Sequence, residues 1–250
     1  MLANVTEYEL KKQFNKRLLM VGLIQFILLA AGAGIYLTYA TPQRTSYEAF
    51  SFSVFTILPM ALPFLSALST GITLAEERSL GLVPLFISRG VSPLQYILGK
   101  VIGSATAQIC FTCITLAVFL LTTFIFFPKG PILTFGAHSE EYLAINDPFM
   151  HSLACILVYA SAALAFSGIA LLISVWVSNV FVVAVVPTVA YFAALYIFVL
   201  LDSNLNPYFH LALDQSPGPA FASAGTYWIA VAAISYLLAV LCFTMKKNWS

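Results

Sequence analysis

The chain has 250 residues, of which 61% are hydrophobic and only 8% charged, with a net charge of +1. A soluble domain carries about 45–50% apolar and about 25% charged residues, so this is an integral membrane protein of predicted all-α class. The net charge by itself says nothing about nucleic acid, which is not expected as a partner of a membrane chain; the distribution of charge along the sequence says more.

Residues 1–17 are polar. Leu10, Phe14 and Leu18 recur at helical spacing against Lys11, Lys12, Lys16 and Arg17. That pattern predicts an N-terminal amphipathic helix suited to an anionic membrane face, and equally a basic flank that orients the first span. The sequon Asn4-Val5-Thr6 falls on the same side and is expected to be unused. No small-residue cleavage site clearly follows the basic stretch, so the first apolar run is expected to be retained.

A spanning helix needs roughly 20 apolar residues. Six runs qualify: about 18–39, 50–75, 97–127, 149–177, 180–201 and 226–245. Pro59 and Pro63 interrupt the second and kink it. Gly99, Gly103 and Ala107 repeat every four residues on the third, which predicts close helix packing, within the chain or between subunits. Lys100 lies just inside that span, within reach of the interface by snorkelling. No Asp, Glu, Lys or Arg occurs between Phe149 and Leu201, too long a stretch for one helix. Val177-Ser178-Asn179 is its most polar interior point and predicts a tight turn between the fourth and fifth spans. Ser161, Ala162, Ala163, Ala165, Ser167 and Gly168 mark the fourth as buried in the bundle, and Pro187 bends the fifth. A polar loop at 128–148 holds Lys129, Glu140, Glu141 and Asp147. An apolar island at 207–213 predicts a short element dipping into the outer leaflet. The whole, 1–250, reads as one transmembrane domain.

Six spans put both termini on one side. That side holds nine of the 11 basic residues, while the other holds Arg44, Lys129 and six of the 10 acidic residues. The positive-inside rule then places both termini and residues 76–100 in the cytoplasm.

Motifs for catalysis are missing. There is no GxxxxGK[ST], HExxH or GxSxG, and no carboxylate or ammonium in mid-span, so no catalytic residue is assigned and an ion-coupled relay is disfavoured. Cys110 and Cys113 form a CxxC without a second pair, and His138, His151 and His210 are scattered. No metal site is assigned. The chain has the architecture of a pathway without a source of energy.

The stretch Glu76 to Lys100, EERSLGLVPLFISRGVSPLQYILGK, stands apart. It holds five charged residues between two uncharged runs. It resembles the cytoplasmic loop of type-2 (ABC-2) ABC exporter permeases. The resemblance is carried by Glu77-Arg78, Gly81, Leu85-Phe86-Ile87, Ser88, Val91-Ser92 and Ile97-Leu98-Gly99-Lys100, and by Asn206-Pro207 between the last two spans. Gly90, Pro93 and Pro84 depart from the usual pattern.

The resemblance implies a permease subunit of the bacterial cytoplasmic membrane, multi-pass, with no ATP site of its own. Two permeases, identical or sister chains, pair, and each docks a coupling helix at 76–93 into a separate ABC ATPase, present in two copies, which binds ATP and Mg. Glu76, Glu77, Arg78 and Arg89 would make ionic contacts with that ATPase. Leu82, Leu85 and Phe86 would fill an apolar pocket. Gly81, Ser88 and Lys100 complete the docking set. A related form, as in the nitrous-oxide-reductase maturation systems, would work on a periplasmic partner. A membrane scaffold or immunity protein that binds a partner without transport is the alternative, and a membrane-embedded enzyme fits least.

Overall fold

A computed structural model describes residues 2–14, 16–38, 44–130, 133–134, 143–144, 147–200, 206–208, 210–211 and 219–246. A short helix α1 (Leu2–Gln13) precedes α2 (Lys16–Tyr36) and α3 (Ser46–Ser66). A π-helical turn (Ala67–Gly71) then leads through α4 (Thr73–Ser79) and α5 (Leu82–Ser88) to α6 (Pro93–Phe126). Helices α7 (Pro148–Ser174), α8 (Val180–Leu200) and α9 (Pro219–Met245) complete the chain. Among the described residues the only extended pairing is two residues long, β1 (Leu133–Thr134) against β2 (Leu143–Ala144). Six helices are long and apolar enough to cross a membrane: Lys16–Tyr36, Ser46–Gly71, Pro93–Phe126, Pro148–Ser174, Val180–Leu200 and Ala222–Met245.

Local chemistry sets the breaks. Asp147 Oδ1 accepts from Met150 N at 3.1 Å, and Pro148 occupies the first turn of α7, where its missing N–H costs nothing. Asn179 Oδ1 accepts from the N–H groups of Phe181 and Val182 at 3.0 and 3.3 Å. That cap starts α8 after the turn expected at Val177–Asn179. Pro59 and Pro63 lie inside a continuous α3, and the interruption comes later, in the π turn. Its signature bond is Ile72 N to Ala67 O at 3.1 Å.

Helix α7 is the axis of the bundle and packs against α3, α6, α8, α9 and the π turn. Its small residues make this close approach feasible. Ser161, Ala162, Ala163, Ala165, Ser167 and Gly168 are all buried, and a Cβ on Gly168 would lie 3.2 Å from Ser235 and Tyr236. Helix α2 instead buries one stripe (Leu18, Val21, Leu29, Tyr36) and leaves Leu19, Met20, Leu23 and Ile27 outward, as a lipid-facing helix does.

Of the 207–213 island, residues 209, 212 and 213 lie outside the described residues. The described part is tucked against the bundle: Tyr159 OH donates to Leu211 O at 2.7 Å and Trp228 Nε1 to His210 O at 3.1 Å. Glu140, Glu141 and His138 also lie outside the described residues. Cys110 and Cys113 are free thiols on α6.

Candidate functional site

The charged end of the bundle is built by the π turn, α4, α5, the start of α6 and the N-terminal helix. Gly81 and Gly90 bracket α5 with φ of 67° and 86°, a backbone that L side chains rarely adopt. Gly90 therefore stands where the chain must turn left-handed. Pro84 falls in the first turn of its seven-residue helix, where proline is tolerated. Ser92 caps α6 with a full capping box, Gln95 N to Ser92 Oγ at 3.2 Å and Ser92 N to Gln95 Oε1 at 3.4 Å, and Pro93 follows at the first helical position. The three departures from the usual loop pattern are thus accommodated by local geometry.

Beside this loop lies a buried ionic hub. The Lys100 ammonium sits 2.7 Å from Glu9 Oε1 on α1 and 2.7 Å from Glu77 Oε1 on α4, with all three side chains at 1% exposure or less. The Glu77 carboxylate also receives the Lys12 ammonium and the Tyr96 hydroxyl. Two carboxylates and two ammonium groups therefore balance, with Glu9, Glu77 and Lys100 closed to water and Lys12, 26% exposed, at the mouth of the site. Burial, the larger influence, lifts the Glu9 carboxyl above its ordinary value against the pull of Lys100. Glu77 is pushed up by burial too, but Lys100 and Lys12 together outweigh it and hold the carboxyl below its ordinary value.

Lys100 does not snorkel. The stem of a snorkelling lysine runs along apolar surface to water, whereas this one turns inward to two carboxylates and has no exposed surface. The face of α1 is likewise not the expected one. Glu9 and Gln13 are buried, Phe14 is 54% exposed, and Leu10 is half-buried. The row of half-buried Val5 and buried Glu9 and Gln13, spaced four apart, runs along the side of α1 that packs on α6, where Gly99 and Gly103 leave the space. A Cβ on Gly99 would lie 2.6 Å from Val5 Cγ1, and one on Gly103 2.8 Å from Glu9 Cβ. The small-residue stripe thus serves packing within the chain, and Ala107 continues it, fully buried.

Two other charges of the loop, Glu76 and Arg78, are also engaged by the chain itself. Glu76 pairs with Arg17, and Gln13 Nε2 donates to Thr73 Oγ1 at 3.3 Å. Arg78 Nη1 donates to Ser174 O at 2.7 Å and Lys246 Nζ to Val175 O at 3.0 Å, so both cations sit on the carbonyl end of α7. Phe86 is half-buried against Tyr8 and Tyr96, with ring centroids 6.0 and 5.7 Å apart, Leu82 is half-buried, and Val83 anchors the helix at 1% exposure. What α5 and its corners turn outward is Leu80 (71% exposed), Gly81, Leu85 (44%), Ser88 and Arg89.

Above the hub a polar seam runs into the bundle. Ser69 and Thr70 of the π turn donate to Gln108 Oε1 at 2.5 and 3.0 Å, Thr70 Oγ1 lies 2.6 Å from Ser167 Oγ, and Tyr236 OH donates to Ser167 at 3.3 Å. This seam joins the π turn to α6, α7 and α9. Sequence reasoning missed it, along with Glu9, Lys12, Gln13 and Tyr96. The available signal was the four-residue spacing of Val5, Glu9 and Gln13, matching that of Gly99 and Gly103.

A family model described as ABC-2 family transporter protein matches residues 7–245. The chain belongs to the ABC-2 transporter family. As an ABC-2 protein it is the multi-pass membrane component of an ABC transporter, not itself a catalytic enzyme, and its family works with an ABC ATPase. The match reaches the transporter family and not the maturation subtype. No curated protein matches the chain.

Proposed function

We propose that this ABC-2 protein is the permease through which a separate ABC ATPase drives export, and that α5 with its two glycine corners is the element the ATPase grips. The observation that carries this reading is the division of labour within one loop. The base of the loop is anchored by Val83, Phe86 and the buried hub, while Leu85 and Ser88 face outward on a seven-residue helix and Leu80 and Arg89 face outward at its two corners. A short element held firmly at both ends can pass on a rigid-body motion.

On this reading Leu80 and Leu85 enter an apolar cleft of the ATPase and Arg89 meets an acidic group at its rim. Glu76, Glu77, Arg78 and Lys100 act from behind, by holding the loop. Leu82 and Phe86 seat α5 on the protein. ATP and Mg belong to the ATPase, in two copies, beneath two permeases. The excess of basic residues at this end supports its placement in the cytoplasm of a bacterial inner membrane, with both termini inside. The acidic outer loop supports a partner protein on the far side.

Affinity purification of the chain from its native membrane tests the reading. An ABC ATPase should copurify and hydrolyse ATP, and the L85E and R89E variants should each release it while the permease stays folded. A chain that brings down no nucleotide-hydrolysing protein, or whose two variants bind it as the wild type does, refutes the assignment and favours a scaffold.

A further inference from the structure

Helix α1 is joined to the loop more firmly than a membrane-surface helix needs to be. Two side chains of α1 reach α4, Lys12 to Glu77 and Gln13 to Thr73, and Arg17 in the first turn of α2 adds a pair with Glu76. Two more features join it to α6: Glu9 to Lys100, and the backbone approach over Gly99 and Gly103. Lys100 bridges all three elements at once. We infer that Glu9 and Lys100 are positioning residues that lock α1, α4 and the start of α6 into one body, so that the N-terminal helix travels with the docking element and delivers its motion to the third span.

The inference rests on the docking reading above. Its physical basis is the cost of separation. Moving α1 away would take Lys100 from the buried Glu9 and Lys12 from the buried Glu77, leaving three buried charges with one pairing between them, and an uncompensated buried charge is among the most costly defects a fold can hold. The connection between α3 and α4 has a different character. It runs through the π turn, where the regular ladder is already broken, whereas α1, α4 and α6 meet directly at Lys100.

A disulfide provides the test. A Cβ on Gly99 lies 3.3 Å from Val5 Cβ, a few tenths of an ångström short of the range of about 3.5–4.5 Å found in disulfides, and Val5→Cys removes the methyl that would collide. The V5C/G99C pair, with each single variant as control, is oxidised in membranes and then purified with the ATPase. The bridge should form nearly completely, and turnover of the bridged complex should stay within about twofold of the reduced one. A bridge that does not form, or one that stops ATP hydrolysis until a reductant is added, overturns the inference. Bridge formation needs no ATPase, so failure of the companion to copurify refutes the docking reading and leaves the bridge result to be judged by itself. The K100M variant separates positioning from folding. With the folded fraction matched, its turnover per complex should fall on the order of tenfold, and K100R should restore most of it. A K100M complex that melts earlier but turns over normally once folded shows a purely structural lysine and overturns the positioning role.

Discussion

The hub makes a sharp distinction between two adjacent carboxylates. Glu77 has no exposed surface and meets Lys100, Lys12 and Tyr96, whereas Glu76 is 30% exposed and pairs with an Arg17 that is 22% exposed. Removing one partner of a buried pair costs about 3–5 kcal/mol, because the other charge is left uncompensated. Removing one partner of a solvent-reached pair costs about 0–1 kcal/mol. For a chain of this size each kcal/mol shifts the melting temperature by about 2–4 °C. E77Q should therefore melt about 6–20 °C below the wild type, and E76Q no more than about 4 °C below it. The assay is thermal unfolding of the purified chain in detergent, followed by tryptophan fluorescence, to which the buried Trp228 contributes. Two variants that melt within about 2 °C of one another would refute the hub as a buried ionic site.

The hub also has a pH signature. Because burial raises Glu9 above its ordinary 4.5, the folded chain keeps that proton where the unfolded chain has lost it, and stability falls as pH rises through that window. Glu77, held low by Lys100 and Lys12, contributes stability that is present above 4.5 and lost as pH falls toward its folded value. A melting profile against pH should flatten just above 4.5 in E9Q and just below it in E77Q. At the π turn, a Cβ on Gly71 would lie 2.4 Å from Ala170 Cβ and 3.1 Å from Ser167 O. G71A should cost about 1–3 kcal/mol in the same melt, while G34A, with nothing within 4 Å, should be neutral or stabilising. For orientation, a cysteine at Ser139 should react with an impermeant thiol reagent in intact cells and one at Ser88 only after lysis; the reverse pattern would invert the topology.

The spans were readable because lipid imposes length and apolarity on each helix separately. The break at Val177–Asn179 was readable because Asn179 is a local cap. The small-residue stripe was also visible, but its partner was not: a stripe says that something comes close, and only the assembled chain shows Val5 and Glu9 there. Lys100 and Leu10 misled for a shared reason. Snorkelling and amphipathicity assume that the neighbour is lipid or water, and here it is another helix of the same chain. The π turn left no sequence signal of its own, and the close approach of Gly71 to Ala170 and Ser167 beside it is visible only in the assembled chain. Within the loop, the charges at 76–78 looked like surface contacts by composition, and tertiary pairing draws them inward.

Nothing lies within 4 Å of a Cβ placed on Gly81 or Gly90. The two bends are therefore written into backbone handedness and not into any neighbour that would have to be matched. On the docking reading, the outward residues between them, Leu85, Ser88 and Arg89, are free to vary with the partner while the two glycine bends keep the angle of presentation.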